Sequence, residues 1–384
     1  QIIRIRNASI LVFVIKLFII FKISNISSGY IQGHIWLGAD GEPYLTSTDG
    51  LVQDGFFSKQ ELLSYWPAGY PLLIYLLSLL GKSFTLTVLS ILQSALFSFS
   101  AYFFGKNMLR SGLRPVALIC TLMILINPTL TLSSMVIGYE SIVSSLFLVM
   151  LGKIIAEFNI ETTKFKIFLS IGVIGFLICL LQPRFLLTFF ILISIMVFYN
   201  RNLGLSTLTR LVSIAALIIL LAPFILVFRN YISVQMPTIS TNLGVTMNIG
   251  AGDTTGGYIR NPPGVPCQIT ESRKDKVDQQ KINCVLSWYL ANPKKAGKLF
   301  LNKSIYFWSP WFGPEANGTM ARNPWLTIHP LKNMQTTKDG IALLYGGVGK
   351  LVSWAWMLSG LFLVFYGFWG LNRSNSENKI LAKI

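Results

Sequence analysis

Charge is what this sequence has least of. Only 12% of its 384 residues are Asp, Glu, Lys or Arg, about half the ~25% usual in soluble domains. That excludes an ordinary water-soluble domain wrapped in a polar surface. Acids are the scarcer sign, 15 against 32 basic residues, for a net charge of +17. The two histidines, His34 and His329, stand far apart, and the four cysteines lack zinc spacing, so no metal site is expected. No Gly-Lys-Ser/Thr follows the glycine-rich stretch near residue 250, which excludes a P-loop. No cofactor is expected.

What the chain has instead is apolar length. Hydrophobic residues make up 53% of it, and runs such as TLTVLSILQSALFSFSAYFF and LVSIAALIILLAPFILVF reach the ~20 residues that cross a bilayer. Spans are predicted near 8–26, 84–105, 115–133, 136–153, 166–182, 185–199, 207–228 and 343–371. No small-residue cleavage site follows ASILVFVIKLFIIFKI, so the first run reads as an anchor and not as a removed leader. Basic residues collect at alternate ends of these spans: Arg4 and Arg6; Lys106, Arg110 and Arg114; Lys153, Lys164 and Lys166; Arg201 and Arg210; Arg373, Lys379 and Lys383. This positive-inside pattern predicts eight helices with both termini cytoplasmic. It also accounts for the net charge without nucleic acid.

The fold class expected is therefore an all-α polytopic membrane protein. A transmembrane module (1–228) carries a first external loop (27–83), an external cap of mixed structure follows (229–342), and residues 343–384 supply the last span and a cytoplasmic tail. YPLLIYLLSLLG (70–81) is too short to span and reads as an amphipathic helix in the first loop. In the cap, lysines and aromatics interleave through KKAGKLFLNKSIYFW, as in helices at a membrane interface. Cys120 and Cys179 fall in predicted helices as packing residues. Cys267 and Cys284 share the cap, where an oxidising compartment permits a disulfide that spacing alone leaves open.

A third of the acids, Asp40, Glu42, Asp49, Asp54 and Glu61, crowd into residues 40–61, outside the membrane on this topology. An external carboxylate beside an external cation suits transfer of a group from a lipid phosphate. The carboxylate takes the acceptor hydroxyl's proton as general base, and a guanidinium holds the departing phosphate. Asp40 is the expected base. Arg184, between apolar runs in LLQPRFLL, is the expected phosphate ligand, since a charge there is costly without a task. Lys82 and Arg229 are reserve phosphate ligands. Glu42, Tyr44, Asp49, Glu140 and Tyr258 are candidate substrate contacts, with Gly250 and Asp253 beside the last. The bland alternatives are a turn-forming Asp40, solvated loop acids, and a headgroup-snorkelling Arg184. Lys16, inside the first apolar run, reads as snorkelling to the inner end.

The stretch Asp40-Gly-Glu42-Pro-Tyr44, then Leu51, Gly55 and WPAGYPLLIYLLSLLGKS, resembles the first-loop pattern of the GT-C membrane glycosyltransferases. That superfamily includes the protein mannosyltransferases and the aminoarabinose transferases acting on lipid A. NPTLTLSSMVIGYESI, STNLGVTMNIGAGDTTGGY and WYLANPKKAGKLFLNKSIYFW are similar, in the same order, to later segments of bacterial members. Gly41 stands where many relatives have a second acid, and Tyr65-Trp66 where several have a basic residue. The resemblance implies a bacterial plasma-membrane enzyme working on the periplasmic face, with a polyprenyl-phosphate-linked sugar as donor, membrane lipid around it and an acceptor left unidentified. A transporter or flippase of lipid-linked sugars remains open, as does an envelope-polysaccharide polymerase or ligase using a diphosphate carrier.

Overall fold

The computed structural model describes residues 1–37, 41–157, 164–199, 204–252 and 264–308, with residues 355, 358–362 and 365. Nearly all of this is helix. The chain runs α1 (Ile2–Ile20), a two-stranded antiparallel hairpin of β1 (Asn25–Ser27) and β2 (Gln32–His34), then α2 (Gly41–Asp54), α3 (Leu62–Tyr65) and α4 (Gly69–Ser78). There follow α5 (Thr85–Arg110), α6 (Arg114–Ile126), α7 (Pro128–Ser133), α8 (Glu140–Glu157), α9 (Lys164–Leu181), α10 (Leu186–Tyr199) and α11 (Leu205–Val234), and last α12 (Leu243–Ile249), α13 (Lys274–Ala291) and α14 (Pro293–Trp308). Gln1–Leu62 and Pro67–Ser233 form one compact unit; Leu63–Trp66 and the described residues of Val234–Gly367 form another.

Helices fall in all seven predicted windows before residue 229. Among the described residues two are long and apolar enough to cross a membrane, Lys82–Arg110 and Leu205–Val234. The third window is broken: Pro128 opens α7 and the Asn127 side chain caps it by accepting from Leu130 N at 2.9 Å, as a helix start requires. The acidic stretch expected as a loop is largely the helix α2. Tyr44, Leu45, Thr48 and Leu51 are its buried stripe, at the helical spacing i, i+1, i+4, i+7. The hydroxyls of Thr46, Ser47 and Thr48 donate to carbonyls four residues back.

Lys16 corrects another expectation. Because α1 begins at Ile2 and ends at Ile20, Lys16 lies four residues from its C-terminal end. Its side chain is 1% exposed with Nζ 3.7 Å above the Phe97 ring of α5. It does not reach for the N-terminal end; it packs between helices, where a cation over a desolvated ring is attracted by the ring quadrupole.

In the first unit one continuous core links α2, α4, α5, α8, α9, α10 and α11. The start of α4 seats on the end of α9, and a Cβ added at Gly69 would stand 1.9 Å from the Leu180 carbonyl oxygen. Backbone cannot yield as a side chain does. Gly69→Ala is expected to cost about 1–3 kcal/mol, read as a lowered thermal midpoint of the purified chain.

In the second unit the described residues hold helices and no strand, against the mixed cap expected. Asp278 of α13 accepts from Gly244 N at 2.7 Å at the start of α12. Lys303 of α14 donates to the Gly250 carbonyl at its end. The short helix thus has an acid at its positive end and an amine at its negative end. Burial raises the Asp278 carboxyl pKa, against the Gly244 amide and Lys281, which lower it. Cys267 and Cys284 are joined in a disulfide, packed against Ala251, Val265 and Val285. Cys267→Ser with Cys284→Ser is expected to destabilise this unit by about 3 kcal/mol, the loop-entropy value for a loop of roughly 15 residues. Faster proteolysis between residues 234 and 308 would report it.

Candidate functional site

The site is built on a short irregular stretch before α8. Trp36 forms a parallel bridge with Val136, its N–H donating to Met135 O at 3.0 Å and its carbonyl accepting from Ile137 N at 2.9 Å. From the other side Gln93 of α5 donates to Ser134 O and Val136 O at 3.2 and 3.0 Å. Tyr70 of α4 completes the pinning, donating to Gln93 Oε1 at 2.9 Å and accepting from Gly138 N at 2.8 Å. Tyr70 and Gln93 are fully buried, and burial raises the Tyr70 phenol well above its ordinary pKa. A buried polar network with its partners in place fixes one backbone path.

From that pinned end project two of the candidates or their partners. Tyr139 accepts from Arg184 Nη2 at 2.9 Å, and the guanidinium carbon lies 5.6 Å from the Tyr139 ring centroid and 5.4 Å from that of Phe185. Arg184 is exposed, on the single 3-10 turn Pro183–Phe185 between α9 and α10. Guanidinium offers five N–H donors in a planar fork, so a tyrosine that holds one edge leaves the others for an anion. Glu140, also exposed, opens α8 next in sequence to Tyr139. Tyr44 packs edge-on to Tyr70, ring centroids 5.0 Å apart; it is 6% exposed, so it supports the network from inside and does not line an open surface.

Asp40 and Tyr258 lie outside the described residues, as does Asp253. The residues flanking Asp40 are informative: a Cβ at Gly41 would stand 3.0 Å from Leu37 and 3.5 Å from the Ile137 Cβ. Gly41 therefore lies beside Ile137, two residues before Tyr139. Glu42 is exposed in the first turn of α2, where its charge suits the positive helix end.

The remaining candidates are engaged elsewhere. Asp49 accepts from Ser28 Oγ at 2.6 Å, Gly29 N at 2.9 Å and Tyr30 N at 3.2 Å, so both carboxylate oxygens hold the β1–β2 turn. Lys82 is exposed with Nζ 5.6 Å from the Tyr30 ring, beside the same turn. Arg229 is corrected outright. It is 1% exposed and donates to Phe56 O, Ser58 O and Asn230 Oδ1. An arginine at the end of an apolar run meets either headgroups or protein acceptors, and here a turn of the chain supplies the acceptors. Gly250 serves as the Lys303 acceptor.

Trp36, Tyr70 and Gln93 were not among the expected site residues. Gln93 carried a signal, the one amide in the apolar run 85–104, which is costly in such a setting unless bonded. Among the described residues no three His, Cys, Asp or Glu side chains gather as metal ligands do. No family model, curated protein or solved structure matches the chain.

Proposed function

We propose that the chain is a polytopic membrane glycosyltransferase of GT-C type, which moves a sugar from a polyprenyl-phosphate donor to an acceptor hydroxyl on the non-cytoplasmic face. The observation that carries this reading is the exposed Arg184 guanidinium held on Tyr139, which precedes Glu140 in sequence and follows by two residues the Ile137 that lies beside Gly41. On this reading Arg184 supplies the phosphate-binding cation, and the segment that opens at Gly41 beside Ile137 supplies the carboxylate.

Chemistry follows from those groups. Asp40 takes the acceptor hydroxyl's proton as its oxygen bonds to the anomeric carbon. The bond from that carbon to the lipid phosphate oxygen breaks, and Arg184 compensates the charge that develops on the leaving phosphate. One base and no separate nucleophile give inversion. The Cys267–Cys284 disulfide favours an oxidising compartment for the segment containing it, in keeping with an external cap. Loss of Arg229 as a second phosphate ligand weakens the diphosphate-carrier reading, which called for more than one external arginine.

The test is transfer of labelled sugar from synthetic polyprenyl-phosphate-sugar by the wild-type chain in proteoliposomes. Arg184→Gln is expected to lower transfer by about 10²-fold, the usual scale for deleting one charge-stabilising donor. A wild-type chain that releases sugar from no such donor, or a product with retained anomeric configuration, would count against the proposal.

A further inference from the structure

We infer that α14 lays one face on an anionic lipid surface and so docks the second compact unit to the membrane. Two observations meet on this helix. The first is charge: α14 contains no carboxylate and four lysines, Lys294, Lys295, Lys298 and Lys303. The second is the pattern of exposure. Gly297, Phe300, Leu301 and Ser304 fall at i, i+3, i+4, i+7 and share one face, on which Phe300 is 74% and Leu301 58% exposed. Lys294 and Lys298, both exposed, flank that face in register with Leu301. The opposite side buries Leu299 and commits Lys303 to the Gly250 carbonyl, so the helix cannot turn its apolar face inward. Leu290, two residues before the break into α14, is 83% exposed.

Two or three bare apolar side chains are too few for a stable protein interface, which buries ~800 Å² on each partner. They suit shallow insertion at the headgroup boundary, with lysines reaching anionic lipid on long apolar stems. The helix has no arginine, the side chain that makes the commonest specific base contact. The inference needs the chain to reside in a bilayer and is independent of sugar transfer.

Phe300→Cys, labelled with bimane in a Cys120→Ala, Cys179→Ala background, tests it in the full chain in nanodiscs. Nitroxide-bearing lipid is expected to remove most of the emission in discs containing phosphatidylglycerol, and several-fold less in phosphatidylcholine discs or with Lys294, Lys295 and Lys298 changed to Gln. Full quenching by aqueous iodide with none by the lipid nitroxide overturns the inference. So does protection from both, which identifies a protein-covered face. If the background folds poorly, deuterium uptake of residues 293–304 in wild type must be slower in the anionic discs than in the neutral ones, and equal uptake overturns the inference too. Resistance of the chain to alkaline carbonate extraction scores membrane residence separately, and the transfer assay scores the enzyme.

Discussion

Arg229→Met will lower the thermal midpoint of the chain sharply, and much of the variant will fail to reach the folded state. Methionine fills comparable space, so the loss comes from the acceptors left behind. Phe56 O, Ser58 O and Asn230 Oδ1 each receive a guanidinium N–H where Arg229 is 1% exposed. A buried acceptor stranded without a donor costs about 1–3 kcal/mol, so the two buried ones, Ser58 O and Asn230 Oδ1, are a large share of the about 5–15 kcal/mol of a typical domain. Arg229→Lys should fall between Met and wild type: it keeps the charge, but one ammonium cannot reproduce a planar fork. A Met variant that unfolds at the wild-type midpoint would show that this anchor does not hold the turn at residues 56–58.

Apolar length told where helices would form but not what their ends would do. The run containing α11 was plain in the sequence; that its Arg229 bonds a turn 171 residues earlier was not, because an arginine bordering an apolar run looks the same whether its head meets phosphate or peptide. Acids in residues 40–61 suggested a loop, and they masked a helical stripe of Tyr44, Leu45, Thr48 and Leu51 that periodicity alone would have shown. In the site, Arg184 and Glu140 could be named from their places at the ends of apolar runs. The partner that orients Arg184, Tyr139, is 45 residues away, and the Tyr70–Gln93–Gly138 network depends on three segments meeting. Long-range hydrogen bonds leave no period in a sequence, so the scaffold of the site was illegible even where its charged members were not.

On the proposed mechanism, Asp40→Asn will lower the rate of sugar transfer by about 10²–10⁴-fold, the contribution of a positioned general base, with little change in donor binding or thermal midpoint. The amide matches the carboxylate in shape and cannot accept the hydroxyl proton, so an effect confined to kcat separates chemistry from packing. The neighbouring acids make the prediction sharper. Asp49 has both oxygens committed to Ser28, Gly29 and Tyr30, so Asp49→Asn should weaken the hairpin and lower stability before it touches the chemical step. Glu42, exposed on the first turn of α2, should tolerate Gln with a small loss. Glu140 is the real competitor, since it adjoins the Tyr139 that holds Arg184. If Glu140→Gln abolishes transfer while Asp40→Asn retains it, the base sits on α8. If both substitutions act on kcat, the two carboxylates divide the work: one removes the acceptor proton, and the other meets the positive charge that builds on the sugar ring as the phosphate departs.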